Sequence, residues 1–250
     1  MIRTIAEHLS RGVILSRHLP AEFGGSKILV SPEVGLRYWR PGLAKIDPFL
    51  FSTARKLIHP GDVVWDVGAN IGLFAFSAAA SAQCSGRVLA IEPDTWLVGL
   101  MRRSSRMQSA ASAPVDILPA AVSERVGVEQ LHVAKRARAA NFLQGAGTAE
   151  SGGSRESQMV PTVTLDSLLD CYPSPQLLKI DVEGAEVRVL KGALRLLGTV
   201  RPAMICEVSA GSIQAVSEIL ESSGYAVCED DRVSPDQTLW NIVAKPHALS

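Results

Sequence analysis

From Asp62 onward, short apolar runs alternate with segments of helical periodicity, and this alternation limits the fold more than any other feature of the chain. Strands are predicted at residues 63–67, 88–91, 115–118, 177–180, 203–208, 225–228 and 239–244. Helices are predicted at 71–82, 95–107, 185–197 and 212–222. Strands this short and this uniformly apolar are buried on both faces. Joined by helices, they imply an α/β fold with an open, mostly parallel sheet and helices on both faces.

Two regions depart from the rhythm. Residues 1–60 read as an N-terminal cap on a main domain spanning 61–250. Ile2, Ile5, Leu9 and Val13 stand at helical spacing, and residues 48–58 predict a second helix. The apolar runs 28–30 and 36–39, separated by Ser31-Pro32, suggest a small hairpin. Residues 123–176 read as an insertion carrying two strand-like runs, 126–133 and 159–163, around a Gly/Ser-rich segment, 144–157, expected as a flexible loop. Thr164 then opens a short capped helix.

Composition removes several classes. The chain has 250 residues with 25 Lys plus Arg against 25 Asp plus Glu, so it is neutral, unlike proteins that hold nucleic acid by neutralising phosphates. Hydrophobic residues make up 47%, which disfavours disorder. No apolar run reaches the ~18 residues or more of a membrane span. Glu7, His8, Arg11 and Arg17 break any secretory apolar core. Cys84, Cys171, Cys206 and Cys228 form no CxxC pair, so reduced thiols and a cytoplasmic location are expected.

The segment Val63-Val64-Trp65-Asp66-Val67-Gly68-Ala69-Asn70-Ile71-Gly72 puts glycines at a strand-to-helix turn, where backbone can approach a ligand closely. A dinucleotide fold would carry GxGxxG there, with pyrophosphate on the helix N-terminus. Here the pattern is DxGxxxG, and a carboxylate at the strand end would repel phosphate. Asp66 suits a ligand with a positive centre, an ammonium group and no phosphate, and S-adenosylmethionine has all three properties. Glu92, 20 residues past Gly72 at the end of the next strand, is placed to accept both ribose hydroxyls.

A second acidic turn, Lys179-Ile180-Asp181-Val182-Glu183-Gly184-Ala185-Glu186, also leaves a strand and opens a helix, so Asp181 is expected to face the same crevice. Glu183 and Glu186 share one face of the helix start. Glu207 ends the following strand. These acids could serve as general base, as hydroxyl orienters or as a divalent metal site, and the sequence does not separate the three.

These motifs resemble the FkbM family of class I S-adenosylmethionine-dependent methyltransferases. The matching pieces are Asp66 to Gly72, Glu92-Pro93, Ala121-Val122-Ser123, Thr164-Leu165-Asp166-Ser167-Leu168, Leu178 to Glu186, and Arg201-Pro202 leading to Glu207. The resemblance implies a Rossmann-like, seven-strand sheet with a reversed last strand. It implies methyl transfer, usually to a hydroxyl of a sugar or secondary metabolite. It further implies that Glu92 holds the ribose, that Asp66, Gly68 and Asn70 line the methionine end with Gly72 closing the turn, and that Asp116 and Ile117 lie near adenine. Asp181 is expected to touch both cofactor and acceptor as the base, with Glu183 and Glu207 orienting the acceptor. Asn141 and Glu186 are candidate acceptor contacts. The expected cofactor is S-adenosylmethionine, with a divalent metal possible but not expected. Partners are a small-molecule or glycan acceptor, with no nucleic acid and no membrane span, and a homodimer is left open. A non-catalytic methyltransferase-like binding module, N-methylation, or a protein or nucleic-acid acceptor are the alternatives. A nicotinamide dehydrogenase is disfavoured by Asp66.

Overall fold

A computed structural model describes residues 2–147, 151–230 and 239–248. The leader contributes α1 (Ile2–Leu9), β1 (Leu15–His18), β2 (Lys27–Val30) and α2 (Pro48–Leu57). Asp47 caps α2, accepting from the Leu50 N–H at 2.9 Å, and Pro48 takes the first helical position, where its missing donor costs nothing. The hairpin differs from expectation. β2 pairs antiparallel with β1, while Leu36–Trp39 is a 3-10 turn between Gly35 and Pro41. An apolar run of four residues between two chain breakers is too ambiguous for periodicity to assign.

The main sheet has seven strands. They are β3 (Val63–Val67), β4 (Arg87–Ile91), β5 (Val115–Leu118), β10 (Leu177–Ile180), β11 (Ala203–Ser209), β12 (Tyr225–Asp230) and β13 (Leu239–Pro246), in the order β12-β13-β11-β10-β3-β4-β5. The five strands from β11 to β5 run parallel, and β13 lies antiparallel between β11 and β12. This is the expected mostly parallel sheet with a reversed last strand. The order reverses between β3 and β10, and ligands in open sheets bind at such switch points, outside the carboxyl ends of the strands.

Helices α3 (Leu73–Ala82) and α4 (Thr95–Ser105) cover one face together with the leader. Helices α5 (Leu165–Leu168), α6 (Glu186–Lys191) and α7 (Ile213–Ser222) cover the other. α3 is apolar nearly all round because it is enclosed by the sheet, α2 and the leader. Thr164 and Ser167 form a reciprocal capping box at α5, as the sequence suggested.

A second sheet, β6-β9-β7-β8, is built from β6 (Ala121–Val122), β7 (Gly127–Ala134), β8 (Phe142–Leu143) and β9 (Ser154–Val163). β9 starts at Ser154, inside the segment expected as loop, because its residues pair across β7 from Ala134 to Gly127. Residues 148–150 of that segment lie outside the described residues.

Candidate active site

The turn after β3 is tied to the end of β4. The N–H groups of Gly68 and Ala69 both donate to the Ile91 carbonyl at 3.0 Å. Asn70 adopts φ 56°, and its side-chain oxygen accepts from the Ile71 N–H at 2.8 Å, the local bond that lets Asn tolerate the left-handed region. The Asn70 N–H donates to Glu92 Oε2 at 2.8 Å, and the Asp94 N–H donates to Glu92 Oε1 at 2.8 Å. Glu92 is thereby aimed by two backbone donors while only 5% exposed. Burial, with the charges of Asp94 and Asp66 nearby, pushes its carboxyl up to about 8 against those donors.

Gly68 is required by the protein's own backbone. At φ 76°, a Cβ there would collide with the Asp181 carbonyl. The Asp181 N–H donates to the Val67 carbonyl at 3.0 Å, so the two acidic turns are clasped together. Gly72 begins α3 at φ 84°, and a Cβ would press on the Phe76 ring.

Between the turns lies a side chain that sequence reasoning missed. Parallel pairing aligns Lys179 with Asp66 across β10 and β3. The Lys179 ammonium is 3.0 Å from Asp66 Oδ1 and 3.2 Å from Asp181 Oδ2, above the Phe74 ring. Burial disfavours its charge, but the Asp181 and Asp66 carboxylates outweigh burial and hold it protonated. The signal was a lone lysine in the apolar strand Leu177-Leu178-Lys179-Ile180, since a charge buried there demands a partner.

An open cleft of about 1280 Å³ lies at these strand ends. Of the residues expected from sequence, it gathers Gly68, Asn70, Glu92, Asn141, Asp181, Glu183 and Glu207. Half-buried Glu207 is pushed up to about 9, first by the Asp181 carboxylate and then by burial and Glu183. The cleft thus holds, with the Asp181 carboxyl, a Glu207 carboxyl that is protonated at neutral pH.

The other expected residues lie elsewhere. Asp66 is fully buried beneath the turn, and its cationic partner is Lys179 rather than a ligand. Its Oδ2 is buried without a hydrogen-bond partner among the described residues. Gly72 serves helix packing. Asp116 faces away from the cleft, accepting from Arg87 Nε at 2.8 Å and from the Tyr172 hydroxyl at 2.6 Å, and Ile117 packs into the core. The cleft touches the chain after β5 at Ala120, because strands meet ligands at their carboxyl ends and Asp116 sits near the start of its strand. Glu186 turns back to the Gly184 N–H at 2.9 Å and is buried.

Asn141 reaches the cleft, but its amide is engaged on both sides. Its Oδ1 accepts from the Ala134 N–H at 3.0 Å, and its Nδ2 donates to Asp94 Oδ2 at 2.8 Å. Asp94 also accepts from Arg138 Nη1 at 2.5 Å, and Arg138 Nε donates to Glu33 Oε1 at 2.7 Å. Arg155 also pairs with Glu33. Burial raises the Glu33 carboxyl, but the Gly12 N–H and the two guanidinium groups outweigh it and hold it below its ordinary value. This network joins the leader, the start of α4 and the second sheet into one wall of the cleft.

The Methyltransferase FkbM domain matches residues 66–227. The chain belongs to the FkbM methyltransferase family. The methyl donor of this family is S-adenosylmethionine, and the buried, doubly aimed Glu92 beside the Gly68–Asn70 turn fits its nucleoside. AglP, a hexuronic acid methyltransferase of Haloferax volcanii, is 28% identical over 152 residues, covering 60% of this chain and 57% of that protein. The match therefore spans little more than half the length of that relative. Among solved structures, the FkbM methyltransferase of Methylobacillus flagellatus KT aligns over 78% of this chain and 50% of its own, with 16% identity and a TM-score of 0.51. A precorrin-6y C5,15-methyltransferase of Geobacter metallireducens GS-15 aligns over 80% of this chain and 88% of its own, with 15% identity and a TM-score of 0.48. At 16% identity the likeness to the Methylobacillus flagellatus protein is one of fold. Among the described residues no helix is long and apolar enough to cross a membrane, and no cluster of three or more His, Cys, Asp or Glu is arranged to hold a metal ion.

Proposed function

We propose that this protein is an O-methyltransferase acting on a hydroxyl of a sugar or similar small, hydroxylated acceptor. The observation that carries the reading is the union, in one cleft, of the Gly68–Glu92 turn with the Asp181 carboxylate, which the buried Lys179 ammonium anchors. S-adenosylmethionine, when bound, supplies an electrophilic methyl group. Glu92 accepts from the ribose hydroxyls, and Gly68 and Asn70 hold the methionine end. Asp181 takes the acceptor's hydroxyl proton, so that the oxygen could accept the methyl group that bound S-adenosylmethionine would supply. Glu207, protonated at neutral pH, donates to the acceptor and orients it. Alignment of the two reactants removes much of the barrier, and general base catalysis contributes typically ~10²–10⁴-fold. The sugar acceptor of AglP supports the choice of acceptor class.

Labelled methyl transfer from S-adenosylmethionine to a panel of glycosides tests the reading. The expected product is an alkali-stable methyl ether. An alkali-labile ester, or label only on amine nitrogens, would replace the hydroxyl with another acceptor atom.

A further inference from the structure

The acids in the cleft come from the strand ends, while the opposite wall is cationic. The leader supplies Arg3, Arg37 and Lys56 to the cleft, against a single acid, Asp47. Arg3 is paired with Glu7 at 2.9 Å, and Asp47 is engaged in capping α2. Arg37 is different. Its guanidinium lies 5.6 Å from the Tyr38 ring centre, and Tyr38 is buried. The side chain is exposed to the cleft, and among the described residues no carboxylate closes an ion pair on it. The packing around it disfavours its charge, but Tyr38, which also hydrogen-bonds the guanidinium, and then Asp47 and Asp181 outweigh that. Lys56, one helix away on α2, adds a second exposed cation to the same wall.

The cofactor's sulfonium and ammonium gain nothing from an arginine, and its one anionic group, the α-carboxylate, belongs to the methionine end. Its own site lies around Gly68, Asn70 and Glu92. A cleft of this size exceeds the ~300–1,000 Å³ of a pocket for one small ligand, so a second molecule has room beside the cofactor. That second molecule meets a planar guanidinium fork suited to a carboxylate, phosphate or sulfate.

We infer that the acceptor is anionic, and that Arg37 binds its acidic group while presenting a neighbouring hydroxyl to Asp181. This rests on the methyltransferase reading above and narrows its acceptor to acidic sugars or their phosphate and sulfate equivalents. Arg37 makes the main contact, and Lys56 contributes through the field alone.

The test uses the full chain with S-adenosylmethionine and matched acceptors that differ only at C6. These are methyl glucuronide, galacturonide and mannuronide, the neutral glucoside, galactoside and mannoside, and the 6-phosphates and 6-sulfates of the neutral set. At least one acidic member is expected to exceed its neutral partner in kcat/KM by ~10–150-fold, the range of a hydrogen bond to a charged group. Whether carboxylate, phosphate or sulfate leads identifies the source of the charge. Arg37→Ala should collapse that ratio towards one through KM, Arg37→Lys should keep part of it, and both should bind S-adenosylmethionine as the wild type does. Neutral members turned over as well as acidic ones, a ratio indifferent to Arg37→Ala, or a cofactor-bound wild type that methylates no acidic member would each overturn the inference. Failure of the wild type to bind S-adenosylmethionine would instead overturn the underlying reading, and this inference with it.

Discussion

The two walls of the cleft are made in different ways. The cofactor wall is largely continuous in sequence: residues 66–92 run strand, turn, helix, strand, the bonds that aim Glu92 fall within or just beyond that stretch, and the Asp181 N–H clasps it from the second acidic turn. The acceptor wall is assembled from Arg37, Lys56, Arg138, Asn141 and Glu207, which only the folded chain brings together. A local wall can be inherited as a motif. A wall built from distant pieces can change its chemistry one side chain at a time, with the cofactor site left intact. On the function proposed above, the leader and the second sheet would carry most of the acceptor choice.

The largest expected effect falls where the walls meet. Asp181→Asn keeps the size of the side chain and its place beside Lys179 but cannot take a proton. It should lower turnover ~10²–10⁴-fold while leaving cofactor affinity within a few-fold, as read by single-turnover labelling beside calorimetry. Retained activity would remove Asp181 as base.

Breaking only the assembled wall comes next. Arg138→Met leaves Asp94 as a buried carboxylate without a guanidinium and Glu33 with Arg155 alone, at a cost of ~3–5 kcal/mol in denaturant unfolding. A loss under about 1 kcal/mol would mean that the wall is held by packing rather than by this network.

A pH experiment sharpens the cofactor wall. Glu92 and Glu207 are raised to about 8 and about 9 from an ordinary 4.5, so between those limits the native state holds more protons than the unfolded chain. Stability of the cofactor-free protein should therefore fall as pH rises through that window and level off above it. Ribose hydroxyls that donate to Glu92 favour its charged form, so cofactor binding near neutral pH should release up to one proton. Calorimetry in two buffers of different ionisation enthalpy reads this directly, and identical binding enthalpies would contradict it. The smallest effect is expected at Asp116→Asn, which should leave cofactor affinity unchanged because that carboxylate faces Arg87 and Tyr172. A marked loss there would return Asp116 to the site.

The contrast also explains what could be read before folding. The parallel strands and the Asp66–Glu92 turn were legible because period, spacing and turn chemistry are local. Asp66 was found but its partner was not, since pairing with Lys179 depends on the register of β10 against β3. Asp116 entered through the family resemblance alone, and the fold sets it near the start of β5, away from the ligand-facing end. Glu186 was misplaced because a residue on a helix's first turn can cap its own backbone as readily as face outward. Arg37 and Arg138 carried no signal, for neither belongs to a motif, and each acquires meaning only from what the fold sets beside it.

One set of titrations tests the division most directly: S-adenosylmethionine into the wild type, Glu92→Ala and Arg37→Ala. The account predicts affinity weakened ~10–150-fold by Glu92→Ala, the loss of charge-assisted bonds, and unchanged by Arg37→Ala. Unchanged affinity in Glu92→Ala, or equal weakening in both variants, would contradict it.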